Sequence, residues 1–214
     1  MTTLPLTPDE LLTTTRTVRK RLDLTRDVPL NLVRECLEIA LQAPSGSNRQ
    51  GWDWVVVTDA DRRAAIGDVY RRAVERYLAS PGFAGRLFAD DAERSAVQRR
   101  VGESVRYLGE HMGKVPVLVL PCLRVRSLPA GNQAGLWGSI LPAAWSFMLA
   151  ARARGLGTAW TTLHLGYEAE VARILGMPED VRQSVLIPTA YYTGGTFRPA
   201  HRGALDDVLH LDRW

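Results

Sequence analysis

The chain has 214 residues, 46% of them hydrophobic and 23% charged. That balance supports one sizeable core and excludes a disordered or fibrous protein. The net charge is only +4, and Arg62-Arg63, Arg71-Arg72 and Arg99-Arg100 are interleaved with Asp59, Asp61, Glu75, Glu93 and Glu103. Such a pattern describes solvated helix faces, so no nucleic-acid partner is expected. Met1–Glu10 has neither the basic nor the apolar region of a secretion signal. No apolar run approaches the ~18 residues that span a bilayer, and a cytoplasmic protein without a membrane partner is expected.

Residues 7–20 read as a first helix, with Thr7 as N-cap, Pro8 at the first helical position, and Asp9 and Glu10 in the first turn. Residues 27–42 form the clearest helix. Leu32, Val33, Cys36, Leu37, Ala40 and Leu41 recur at helical spacing, and Pro44 stops the pattern. Residues 54–58 read as a strand buried on both faces. Residues 61–78 and 92–112 are helical. Between them, 80–91 carries Pro81, Gly82 and Gly85 and reads as a mobile surface segment.

Residues 115–123 read as a second strand whose prolines, Pro116 and Pro121, leave open whether it is an edge. After a loop at 127–131, residues 134–153 form a long helix, apolar nearly all round and interrupted by Ser139 and Ser146. Such a helix is buried, either as a central core helix or under a second copy of the chain. A Gly155-Leu156-Gly157 turn leads into a third strand at 158–163, a short helix at 168–175 and a fourth strand at 184–193. The tail, 194–214, has little periodicity. Strands separated by helices leave α/β and α+β both open.

Standard sites are missing. The chain contains no phosphate loop of the Gly-x-x-x-x-Gly-Lys type and no Gly-x-Ser-x-Gly elbow. Gly155-x-Gly157 lacks the third glycine of a dinucleotide fingerprint. His111, His164, His201 and His210 show no metal spacing. Asp90-Asp91 and Asp206-Asp207 lie in polar stretches. Cys36 and Cys122 read as small buried hydrophobes, as suits a reducing compartment.

Three segments remain: Thr15-Arg16-Thr17-Val18-Arg19, the turn Ala43–Trp52, and Phe197-Arg198-Pro199-Ala200-His201-Arg202. Guanidinium groups and a hydroxyl bind phosphate, and a polar turn on a compact scaffold suits a flat, polar-edged cofactor. These segments also resemble a known family. Thr-Arg-Thr-Val-Arg is similar to the Arg-Ser-Val-Arg signature of the FMN-dependent nitroreductases. Ala-Pro-Ser-Gly-Ser-Asn-Arg-Gln-Gly-Trp resembles their Ala-Pro-Ser-Ser/Gly-x-Asn-x-Gln-Pro-Trp, and Gly-Leu-Gly-Thr-Ala-Trp at 155–160 their Gly-Leu-Gly-Thr-Cys-Trp. The order holds from about residue 10 to about residue 205, and the form is that of actinobacterial members. Thr15, where many relatives have arginine, and Gly51, in place of proline, are departures.

The resemblance implies a single α+β domain over 1–214, a three-layer α/β/α with a mostly antiparallel sheet. It implies an intertwined homodimer whose tail, about 194–214, extends over the partner subunit. FMN is the implied cofactor, NADH or NADPH the reductant, and a nitroaromatic, quinone or similar electron-poor small molecule the acceptor. Hydride would pass through the flavin N5 with ping-pong kinetics. Arg16, Thr17 and Arg202 are implied at the phosphate and Arg19 near N1 and O2. Pro44, Ser45, Gly46 and Asn48 are implied to reach the flavin from the other subunit, and the backbone of Leu163 and His164 to lie near N5. A biosynthetic flavin oxidase or desaturase of the same fold, and a non-catalytic FMN-storage protein, are alternatives.

Overall fold

The computed structural model describes residues 3–214. Helix α1, Pro8–Thr14, starts under a capping box. The Thr7 hydroxyl accepts from the Glu10 N–H (3.2 Å) and the Glu10 carboxylate accepts from the Thr7 N–H (2.8 Å). This helix is shorter than the predicted 7–20. Thr13, Thr14 and Thr15 donate their hydroxyls back to the carbonyls of Asp9, Glu10 and Leu11, each at 2.6 Å. β-Branched residues that bond backward in this way weaken the continuing helix.

The chain leaves α1 extended. Thr17 bridges Thr158 in parallel, and the Val18 N–H donates to the Thr158 carbonyl at 2.8 Å. Thus Arg16–Arg19 is tied to a sheet edge rather than carried on a helix.

Five strands form one sheet: β1 (Trp52–Val57), β2 (Val117–Arg124), β3 (Leu156–Thr158), β4 (Val181–Gln183) and β5 (Ile187–Tyr191). The order is β1-β2-β5-β3, with β4 also on β2, and every pairing is antiparallel. Side chains of β2 alternate between two cores. Leu118, Leu120 and Cys122 meet Ile66, Val69 and Tyr70 of α3 (Ala60–Ala79), Val105 and Leu108 of α4 (Ala92–His111), and Val171 of α6 (Glu168–Leu175). Val117 and Val119 meet Leu32, Val33 and Cys36 of α2 (Leu30–Ala40) and Ala144, Phe147 and Met148 of α5 (Ala134–Ala153). Each such buried aliphatic or aromatic side chain contributes about 2 kcal/mol. The architecture is therefore α+β with helices on both faces of the sheet.

Several elements differ from expectation. β1 is an edge strand, half-buried except at Val57, and not enclosed on both faces. The third strand stops at Thr158, because 163–167 coils into a short 3-10 turn. The fourth divides: β4 precedes it, and β5 covers only Ile187–Tyr191. Pro121 sits inside central β2, where its carbonyl accepts from both the N–H (3.1 Å) and the hydroxyl (2.6 Å) of Ser184.

The 80–91 segment is anchored at Phe83, while 86–91 is exposed. Phe83 is buried, lies edge-on to Tyr77 at 5.5 Å, and sits so close to Gly85 and Gly102 that a Cβ on either would come within 2.7 Å of its ring. Tyr77 Oη accepts from the Ala84 N–H at 2.9 Å.

α5 has the predicted bounds but not an all-round burial. Ile140, Ala143, Ala144, Phe147, Met148 and Ala151 face inward, while Trp145 is 38% exposed. Its 20 residues are long and apolar enough, by length and composition, to cross a membrane, contrary to the expectation of no such run. Near its C-terminal end lies a buried cation, Arg152. Cys36 and Cys122 are buried, and desolvation pushes their thiols up to about 11 and about 12. Neither is a thiolate at neutral pH.

Candidate functional site

A cavity of about 410 Å³ opens beside the sheet edge. Its walls are Arg16–Arg21, Ser104 of α4, and Phe197–Ala200 of the tail. Two of the three sequence-predicted segments therefore meet, although they lie at opposite ends of the chain. Gly157 makes the approach possible: a Cβ there would sit 3.2 Å from the Val18 Cβ and Cγ1 and 3.2 Å from the Tyr192 Cβ.

The cavity is strongly basic. Lys20 is neutralised by Glu103 at 3.0 Å. Arg21 is spent on the carbonyls of Thr193 (2.6 Å) and Gly195. Arg16, Arg19 and Arg198 pair with no carboxylate among the described residues.

Arg19 is the most informative of the three. Its Nη1 donates to Ser104 Oγ at 3.2 Å, and its Nε is buried without a partner among the described residues. Burial pushes the guanidinium down from its ordinary value, and Tyr70 and Tyr77 push it back up. It still carries its charge at neutral pH. A partly buried cation without an anion is costly, and an anionic or acceptor-rich group would relieve it. Tyr70 is held nearby by a 2.9 Å hydrogen bond between its hydroxyl and that of Thr161.

The Ser45–Asn48 turn lies elsewhere. It is seated on α5, where Ser139 Oγ accepts from the Gly46 N–H at 3.0 Å, and it contributes nothing to the cavity wall of its own chain. Ser47, Asn48 and Gln50 adopt φ of 53°, 51° and 47°. Left-handed backbone at non-glycine residues costs about 1 kcal/mol each. Ser45 Oγ, accepting from the Gln50 N–H at 3.1 Å, and Asn48 Oδ1, accepting from Gln50 Nε2 at 2.9 Å, hold the shape. The turn presents Pro44 and Asn48 outward.

Leu163 is half-buried against the α3 side of the core. His164 is wholly buried, with both ring nitrogens unpartnered among the described residues, and desolvation lowers it to about 4. Arg202 is exposed and outside the cavity wall, where Arg198 stands instead. The 80–91 and 128–133 segments also lie outside it. Ser104 and Lys20 were not singled out from sequence. Ser104 is one polar residue on an amphipathic helix and gives no local signal. A second depression, about 970 Å³, between Arg126 and the α6–β4 connection shares no residue with this one.

The family model for the nitroreductase family matches residues 12–191. The chain belongs to the nitroreductase family. The match takes in the arginine segment, the Ser45–Asn48 turn and every strand, and stops short of the tail. A nitroreductase relative, 4-nitrobenzoate reductase of Nocardioides sp. (strain LMS-CY), is 30% identical over 76% of this chain and 71% of its own length. Iodotyrosine deiodinase 1 of Mus musculus is 26% identical over 85% of this chain, which spans 62% of that relative's length.

Among solved structures, iodotyrosine deiodinase bound to FMN and 3-iodo-L-tyrosine superposes with a TM-score of 0.73 at 22% identity, covering 96% of this chain and 99% of the other. The FMN and NADPH-dependent nitroreductase NfnB of sphigopyxis sp. strain HMH, as its Y88F mutant, gives 0.73 at 22% identity, covering 98% and 100%. These superpositions establish the nitroreductase fold.

Proposed function

We propose that the chain is an oxidoreductase that uses FMN to carry electrons from NADH or NADPH to a flat, electron-poor small molecule such as a nitroaromatic or quinone. The observation that carries this reading is Arg19, a half-buried guanidinium whose Nε is buried and which has no carboxylate partner among the described residues, in an arginine-lined cavity. The residues present fit a phosphate-bearing, acceptor-rich cofactor. Bound FMN would supply the redox chemistry, taking hydride from the nicotinamide and passing it to the acceptor.

The chain's own residues bind and orient. Arg16 and Thr17 take the phosphate, joined from the tail by Arg198 in the cavity wall, with the exposed Arg202 beyond the wall. Arg19 places fixed positive charge where the isoalloxazine N1 and O2 would lie, which favours negative charge there by Coulomb attraction in a partly dry site. Leu163 and His164 serve N5 through their backbone, in keeping with a His164 ring turned into the core. Pro44, Ser45, Gly46 and Asn48 serve the site of a second copy of the chain, since the turn is exposed and away from its own cavity. Exposed Ile39 of α2, Leu41 just after it and Trp145 of α5 provide apolar surface for that homodimer.

A titration of the apoprotein with FMN, read by quenching of flavin fluorescence, tests this assignment. The wild type is expected to bind, and Arg16→Ala to bind between about tenfold and a hundredfold more weakly, the worth of one charge-assisted contact. Undiminished binding by Arg16→Ala would contradict the phosphate assignment. The match to iodotyrosine deiodinase favours a second reading in which the acceptor is a halogenated phenol; halide release during turnover distinguishes it.

A further inference from the structure

Residues 194–204 lie in no helix or strand, yet Phe197–Ala200 forms one wall of the cavity. Two arginines from distant elements account for that. Arg152 of α5 is 3% exposed, donates from Nη1 to Tyr192 Oη at 2.8 Å and from Nη2 to Thr196 Oγ1 at 3.1 Å, and has no carboxylate partner among the described residues. Its guanidinium carbon lies 5.5 Å from the Tyr192 ring and 5.1 Å from the Phe197 ring. Arg21 addresses the same two rings at 5.5 and 4.4 Å and donates to the carbonyls of Thr193 and Gly195. The rings contact each other at 4.8 Å.

A buried arginine without an anion is a poor stabiliser. An apolar residue of similar volume would fill the space at lower cost. Both side-chain hydrogen bonds of Arg152 go to the segment entering the cavity wall. Cation–π contacts of this kind are attractive, and four of them together order a short segment that makes no ladder bonds.

We propose that Arg152 and Arg21 are positioning residues. They clamp the Tyr192–Phe197 pair between two guanidinium groups and so deliver Arg198 to the phosphate end of the cofactor cavity. The clamp rests on the FMN reading for its purpose, but not for its detection.

The test uses Arg152→Met, Arg198→Ala and the double variant in the full chain, with Arg21→Met as a second route should Arg152→Met fail to fold. In the absence of FMN, chymotrypsin is expected to nick Arg152→Met or Arg21→Met after Tyr192 or Phe197, the two rings that the arginines hold, about tenfold faster than wild type. FMN affinity should fall about tenfold in Arg152→Met, and the double variant should bind no more weakly than Arg198→Ala alone. Additive losses in the cycle would assign Arg152 a merely structural role and overturn the proposal, as would unchanged nicking. If wild type takes up no FMN, the functional reading fails while the nicking rates still decide the clamp.

Discussion

Replacing Arg19 with methionine is expected to slow reduction of bound FMN by NADPH or NADH about a hundredfold, followed in a stopped-flow instrument by loss of flavin absorbance, while FMN affinity falls less than tenfold. The reason lies in where the charge stands. Arg19 is half-buried, contacts only Ser104 through its side chain, and leaves Nε unpartnered. Charge developing on a reduced ring would be met by a fixed cation in low dielectric, an effect worth about 3 kcal/mol for a single lost donor of this kind. The phosphate, by contrast, would be held by Arg16 and the tail under the proposed assignment.

The same substitution should leave the apoprotein equally stable or slightly more stable, because a half-buried charge without an ion pair is replaced by an apolar side chain. Loss of stability together with equal losses in affinity and rate would make Arg19 a packing residue.

The second large effect is a pH dependence of stability set by His164. Desolvation holds the folded-state value at about 4, against an ordinary value near 6.5. Above pH 6.5 neither state carries the proton, and stability is full. As pH falls from 6.5 towards 4, the unfolded chain binds a proton that the folded chain refuses, so stability drops by about 3 kcal/mol and then levels off. Urea unfolding at pH 7.0 and 4.5, for wild type and His164→Leu, reads it: wild type should lose about 2–3 kcal/mol more than the variant across that interval. Equal losses in both proteins would mean that the ring finds a partner or water in solution.

Local signals located most elements. Thr7-Pro8 before an acidic turn placed the start of α1, and the apolar periodicity of 134–153 and 168–175 gave the bounds of α5 and α6 as observed. What was not legible depends on contacts distant in sequence. The arginine segment leaves the helix because Thr17 and Val18 find Thr158, some 140 residues away. Pro121 left open whether β2 is an edge, and the donor that pairs its carbonyl, Ser184, lies far away in the sequence. Gly82 and Gly85 suggested mobility, whereas Phe83 between them is a buried anchor.

At the site, the arginine and tail segments were legible as phosphate-binding chemistry, and the fold brings them to one cavity. Arg152 was not legible, because in the sequence it is one cation at the end of an apolar helix. Only the fold shows it buried and turned toward Tyr192 and Thr196. The largely exposed stretch 45–50 holds left-handed backbone at Ser47, Asn48 and Gln50, a shape that no local sequence signal announced and that the proposed role at a second copy would explain.

The first measurement to make is a visible absorption spectrum of the purified protein reconstituted with FMN, before and after anaerobic addition of NADH and of NADPH. Oxidised-flavin bands that bleach with either nucleotide and return on adding a nitroaromatic or quinone are the expected result. A protein that takes up no FMN, or one whose flavin bands persist with both nucleotides, would contradict an FMN-dependent NAD(P)H oxidoreductase.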